Sequence, residues 1–119
     1  MRTIAIGQLG LGNVGAGTVA LLRDNRAAIE ARLAAQVQVR RILVRNLERA
    51  RDVEVDPALL TTSVDDILGD PQIQVVVELI GGIEPARTYI LQALRAGKHI
   101  VTANKALLAE HGAEIFAEA

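Results

Sequence analysis

Five short apolar runs, separated by stretches of a different hydrophobic period, constrain this chain more tightly than any other feature. Residues 4–9, 37–44, 60–62, 73–80 and 99–102 read as strands, bounded by glycine, proline or polar residues. Between the first two, Val14, Thr18, Leu21, Leu22, Ala28, Ile29 and Leu33 recur three or four apart. That spacing predicts one long helix over residues 13–34, with Arg23, Asp24, Arg26, Glu30 and Arg32 facing water. Ser63, followed three positions on by Asp66, predicts a capped short helix that Asp70-Pro71 stops. Pro85 in a first turn and Gly97 at a C-cap bracket another helix, buried through Ala86, Tyr89, Ile90, Ala93 and Leu94. A last helix starts at Ala103 or Asn104 and carries Leu107, Leu108, Ile115 and Phe116.

Strands alternating with helices imply an α/β architecture. The expected form is a Rossmann-like, doubly wound, mostly parallel sheet with helices on both faces. In the usual strand order the first strand lies beside the fourth. Val75-Val76-Val77, apolar on both faces, marks the fourth strand as the expected sheet centre. Aromatic residues make up only 2% of the chain, Tyr89 and Phe116, so the core must be Val, Ile, Leu and Ala. The 119 residues predict one domain over 1–119. The helical pattern is still running at Ala119, and five strands are visible where six are usual, so a piece of a longer protein is expected.

A net charge of -1 argues against a nucleic-acid or anionic-membrane surface. The absence of cysteine excludes disulfide scaffolds, thiolate zinc sites and cysteine catalysis. The opening apolar stretch is broken by Gly7 and Gly10, too short for a signal peptide or membrane span, and a cytoplasmic setting is expected.

Gly10-Leu11-Gly12-Asn13-Val14-Gly15 is a Gly-x-Gly-x-x-Gly that follows a strand and opens a helix, the context a dinucleotide-binding loop needs. Gly10 permits the tight turn, Gly12 lets a diphosphate approach the backbone, and Gly15 lets helix and strand pack closely. The free amides and positive dipole at the helix start favour the anion. After the second strand stand Arg45 and Asn46, with no acid to accept from an adenosine ribose. Arg45 there favours the 2′-phosphate of NADP, with NAD still possible. The alternative is a solvated basic loop with Arg40, Arg41, Arg49 and Arg51.

Gly81-Gly82 closes the fourth strand and Thr102-Ala103-Asn104-Lys105 the fifth, both at the carboxyl edge where open α/β sheets bind ligands. The nicotinamide end of a dinucleotide is expected to reach Gly81, Gly82, Thr102, Asn104 and Lys105. Lys105 then places a cation beside hydride transfer, to protonate a reduced carbonyl or stabilise its alkoxide. Burial beside an apolar ring would lower its pKa toward a useful range. The alternative is a surface lysine at a helix start. His99 and His111 lack carboxylate partners at metal spacing and read as structural, so no metal site is expected. Glu78, inside an apolar strand, needs a partner; it hydrogen-bonds near the cofactor or orders the Gly81-Gly82 loop.

Taken together, these motifs resemble the N-terminal nucleotide-binding domain of homoserine dehydrogenase, along essentially the whole chain. The glycine loop is similar to that family's. So are Val77-Glu78-Leu79-Ile80-Gly81-Gly82-Ile83-Glu84-Pro85-Ala86 and the run from Ala96-Gly97-Lys98-His99 through Thr102-Ala103-Asn104-Lys105 to Ala109. The last two are the more specific. The resemblance implies reversible NAD(P)H-dependent reduction of L-aspartate 4-semialdehyde to L-homoserine, a step toward threonine and methionine. It implies that Lys105 is catalytic, that Arg45 senses the 2′-phosphate, and that Asn13 and Val14 touch the diphosphate. It also implies a substrate and dimerisation region beyond this chain. A homo-oligomer is therefore expected, with binding but no turnover from these residues alone. A dinucleotide-binding module without catalysis is the second reading. A third is a sugar-dehydrogenase-type oxidoreductase, whose lysine stands in Glu-Lys-Pro where this chain has Asn104-Lys105-Ala106.

Overall fold

The computed structural model describes residues 2–47 and 55–119, apart from the side chain of Asn13. Arg49 and Arg51, invoked for a basic loop, lie outside the described residues. Five strands form one sheet: β1 (Arg2–Leu9), β2 (Ala35–Leu43), β3 (Leu60–Thr61), β4 (Val75–Glu78) and β5 (His99–Thr102). Their order is β3-β2-β1-β4-β5, and every pair is parallel. This is the doubly wound α/β arrangement the element order predicts. The winding direction reverses between β1 and β4, whose following loops diverge and leave a crevice at the carboxyl edge.

The centre of the sheet is β1, not the valine run. Val76 is fully buried, but Val75 and Val77 are only partly covered. A run apolar on both faces signals a strand that can be buried twice; which strand lies innermost is set by the crossovers.

Alternation along β1 separates the two faces. Leu9 packs with Leu43, Val76, Ile67 and Ala93, beneath α3 (Asp65–Leu68) and α4 (Ala86–Arg95). Gln8 points to the opposite face, under α1 (Asn13–Asp24). A Cβ on Gly7 would come within 2.5 Å of Ile67, so a small residue is required where α3 crosses the sheet. On α4 lies α5 (Lys105–Glu118), joined through Ile90, Leu91, Leu107 and Ile115.

The predicted single helix over residues 13–34 is two helices, α1 and α2 (Arg26–Leu33), separated at Asn25 (φ -112°, ψ 17°). Both the Asn25 backbone N–H and its side-chain Nδ2 donate to the Leu21 carbonyl. Asparagine competes with the helical ladder in this way, and apolar periodicity does not register it. Nor is the expected buried stripe continuous: Val14, Leu21 and Leu33 are 66%, 59% and 50% exposed. The capping box at Ser63 does not form, because Asp66 Oδ2 accepts from Thr61 Oγ1 at 2.5 Å instead. Pro85 directly precedes α4 instead of lying in its first turn, while Gly97 (φ +81°) follows its end as predicted. The last helix bends at His111 (φ -129°).

At the amino edge of the sheet, one residue is inserted in β2: Val39 pairs with Ile6 and Arg41 with Gly7, leaving Arg40 as a bulge. Arg40 Nε donates to Asp70 at 2.5 Å. The Lys98 ammonium, 7% exposed as a residue, donates to the carbonyls of Asp70 and Ile73, each at 2.7 Å. Burial pushes the Lys98 pKa below its ordinary value, with Asp70 partly opposing. Among the described residues no helix is long and apolar enough to cross a membrane.

Candidate functional site

The β1–α1 turn takes its shape from its glycines. Gly10 adopts φ +104°, a region that disfavours side chains, and its N–H donates to Leu43 O at 3.0 Å, tying the turn to the end of β2. A Cβ on Gly15 would stand 2.6 Å from the Gly10 carbonyl oxygen, so helix and turn approach as only glycine allows. A Cβ on Gly12 would meet nothing within 4 Å. The turn is therefore closed beneath Gly15 and open above Gly12. Gly12 caps α1, its carbonyl accepting from Ala16 N at 2.8 Å. The first amides of α1 have no partner further along the helix, and Val14 stands exposed beside them.

Gln8, fully buried, supports this turn from below. Its Nε2 donates to the carbonyls of Gly10 (2.9 Å) and Gly15 (3.1 Å). The sequence reading missed it. A lone polar residue in an otherwise apolar strand, two positions before the first glycine, was the available signal.

The turn opens into a cavity of about 500 Å³. Gly10, Leu11 and Gly12 form one wall; Arg45 and Asn46 stand at the end of β2, with Thr62 past β3, and Ile80, Pro85 and Tyr89 beyond β4 close it. Arg45 is exposed at the mouth, and no other group among the described residues engages its side chain.

Glu78 is 2% exposed, and three donors converge on it. Its Oε2 accepts from the backbone N–H of Ile80 (2.9 Å) and Gly81 (3.0 Å), and its Oε1 accepts from Thr102 Oγ1 (2.6 Å). Gly81 and Gly82 have φ of +78° and +70°. Asn104 caps α5, accepting from Leu107 N at 3.1 Å, and its Nδ2 donates to Gly82 O at 2.6 Å. Lys105 is the first residue of α5 and is exposed.

The fold thus gathers Gly10, Gly12 and Arg45 around the cavity and joins Gly81, Gly82, Thr102 and Asn104 by hydrogen bonds next to Lys105. These are two neighbouring segments of one carboxyl edge. The open Gly12 cradle and the amides beside it suit the diphosphate of a dinucleotide. His111, set 3.9 Å from Glu114, and His99, at the amino end of β5, lie away from this edge.

The family model for the NAD binding domain of homoserine dehydrogenase matches residues 10–119. The homoserine dehydrogenase of Bacillus subtilis (strain 168) is 43% identical over 119 residues, all of this chain and 28% of its own length. That of Synechocystis sp. is 49% identical over 114 residues, 96% of this chain and 26% of its own length. Among solved structures, a homoserine dehydrogenase from Thiobacillus denitrificans superposes with a TM-score of 0.89 at 49% identity, over 99% of this chain and 27% of that one. The chain spans little more than a quarter of the length of these relatives.

Proposed function

The chain belongs to the homoserine dehydrogenase family as its NAD-binding domain, and from that premise we propose that it presents NADP to an aldehyde in the whole protein. The reaction is reversible reduction of L-aspartate 4-semialdehyde to L-homoserine. The open space over Gly12, set between Gly10 and the close Gly15 contact, carries this reading.

The residues divide by the part of the dinucleotide they meet. Gly10, Gly12, Asn13, Val14 and Gly15 hold the diphosphate on the amides that open α1. Arg45, exposed and unengaged at the cavity mouth, pairs with a 2′-phosphate, which favours NADP over NAD. Gly81, Gly82, Thr102 and Asn104 bound the nicotinamide end. When bound, the cofactor supplies the hydride that reaches the aldehyde carbon. Lys105 Nζ donates the proton that the carbonyl oxygen takes up, and recovers it when homoserine is oxidised. The protein works in the cytoplasm as a homo-oligomer, and these 119 residues alone bind dinucleotide without turnover.

Titration of this chain with NADPH and NADH, alongside steady-state assay of the full-length protein, tests the reading. Both dinucleotides bind, NADPH more tightly. Lys105→Met in the full-length protein lowers kcat by about 10²–10⁴-fold, the range of a positioned general acid, while dinucleotide affinity holds. Unchanged turnover in that variant would remove Lys105 from the chemistry. Homoserine oxidation by the 119 residues alone would overturn the division of labour.

A further inference from the structure

Lys105 is exposed at the first position of α5, and no hydrogen bond or ion pair among the described residues holds its side chain. Its placement over the carboxyl edge therefore depends on its backbone, and that backbone is fixed by the turn after β5. The turn is held by a closed ring of hydrogen bonds. Glu78 Oε2 gathers Ile80 N and Gly81 N, and Glu78 Oε1 takes the Thr102 hydroxyl proton. The same Thr102 oxygen accepts from Asn104 N at 3.1 Å. Asn104 Nδ2 returns to Gly82 O, and Asn104 Oδ1 sets the start of α5.

We infer that Glu78 is a positioning residue for the reaction: acting through Thr102, its carboxylate locks the β4 and β5 turns together and so aims Lys105. The inference rests on the reading of Lys105 as the proton donor. Three donors point at Glu78, which an acceptor-only carboxylate satisfies at once. Glutamine at this position turns one end of the group into a donor. With its oxygen on the Ile80 and Gly81 amides its Nε2 faces Thr102, whose hydroxyl must turn from donor to acceptor, so the ring survives only with the charge-assisted bonds lost. Valine in place of Thr102 keeps the shape and cuts the ring at one point. Serine keeps the hydroxyl. Neither Glu78 nor Thr102 lines the cavity beside the glycine turn, while Ile80, whose N–H the ring holds, forms part of its wall.

Steady-state homoserine oxidation and NADP titration on the full-length protein test this with Glu78→Gln, Thr102→Val, Thr102→Ser and Lys105→Met. Thr102→Val lowers kcat by about 10–100-fold, as a misplaced reacting group does, and Glu78→Gln by less, with the NADP Kd moved less than kcat in both. Thr102→Ser recovers kcat to within about threefold of the parent. If Glu78→Gln does not fold, the Thr102 pair decides alone. Parent-like kcat in Thr102→Val, with Lys105→Met impaired, overturns the positioning role and leaves the lysine reading intact. A parallel loss of kcat and NADP affinity, or failure of serine to rescue, also overturns it. Parent-like kcat in Lys105→Met removes both.

Discussion

The two segments of the carboxyl edge are built by opposite means. Around the β1–α1 turn the working feature is missing side chains: nothing stands over Gly12, and nothing but glycine fits at Gly15. Around the β4 and β5 turns the working feature is side chains, with Glu78, Thr102 and Asn104 holding one another in place. In the proposed function the first segment seats an anion. In the inference above the second braces a reactive group. Substitutions should consequently fail differently in the two, by blocking in the first and by misaligning in the second.

Gly12→Val is the sharpest way to break this contrast. Its φ is -78° and its Cβ has open space, so the fold should tolerate the change while the diphosphate loses its place. Dinucleotide affinity is expected to fall by about 100-fold or more, roughly 2.8 kcal/mol, with Tm unchanged. A retained Kd in calorimetric titration would reduce the turn to a connector. Arg45→Ala comes next. NADP affinity should drop by about tenfold, near 1.4 kcal/mol, with NAD nearly unaffected. Equal losses for both would place Arg45 in the solvated loop.

Asn104→Ala tests the brace. Loss of the cap and of the tie to Gly82 should cost about 1 kcal/mol in denaturant unfolding, with NADP affinity falling far less than in Gly12→Val. An affinity loss as large as that of Gly12→Val would mean that the segments are not independent. The smallest effect lies at the opposite edge of the sheet. The Arg40 side chain, then the Gln72 N–H, hold the Asp70 carboxyl below its ordinary pKa. The unfolded chain therefore takes up this proton first. Stability is present above the ordinary aspartate value of about 4 and is lost as pH falls through the lower folded one. Asp70→Asn should shrink that acid-side loss by about 1 kcal/mol or less, given partial solvent screening. An unchanged pH profile would show that the pair contributes nothing.

What could be read beforehand was whatever leaves a local trace. The strand bounded by His99 and Thr102, the turn at Gly97, the glycine loop and the parallel winding all follow from short patterns of residue type. The place of the first strand beside the fourth also followed, since connection length and handedness leave few options, but the sheet centre fell on β1 and not on the valine run. Features decided by a partner far along the chain were harder to see. Ser63, three residues before Asp66, predicts a helix cap, but Thr61 reaches Asp66 first. Glu78 stood out as a carboxylate in an apolar strand, and ordering of the Gly81 turn was one of its two expected roles. Its bond to Thr102, 24 residues on, left no sign. Nothing local marks Lys98, since a lysine after a C-cap glycine is ordinarily solvated. Here the carbonyls of Asp70 and Ile73, at the other end of the crossover, draw it inside.

The extra residue at Arg40 has an effect at the far end of its strand. Without it, every side chain downstream in β2 would change sides, exchanging Ile42 with Leu43. The carboxyl edge is thus hostage to strand parity: removing a single amino acid from the middle of β2, at roughly 3.3 Å per residue, would shift the whole end of that strand against β1 without altering any residue of the glycine turn.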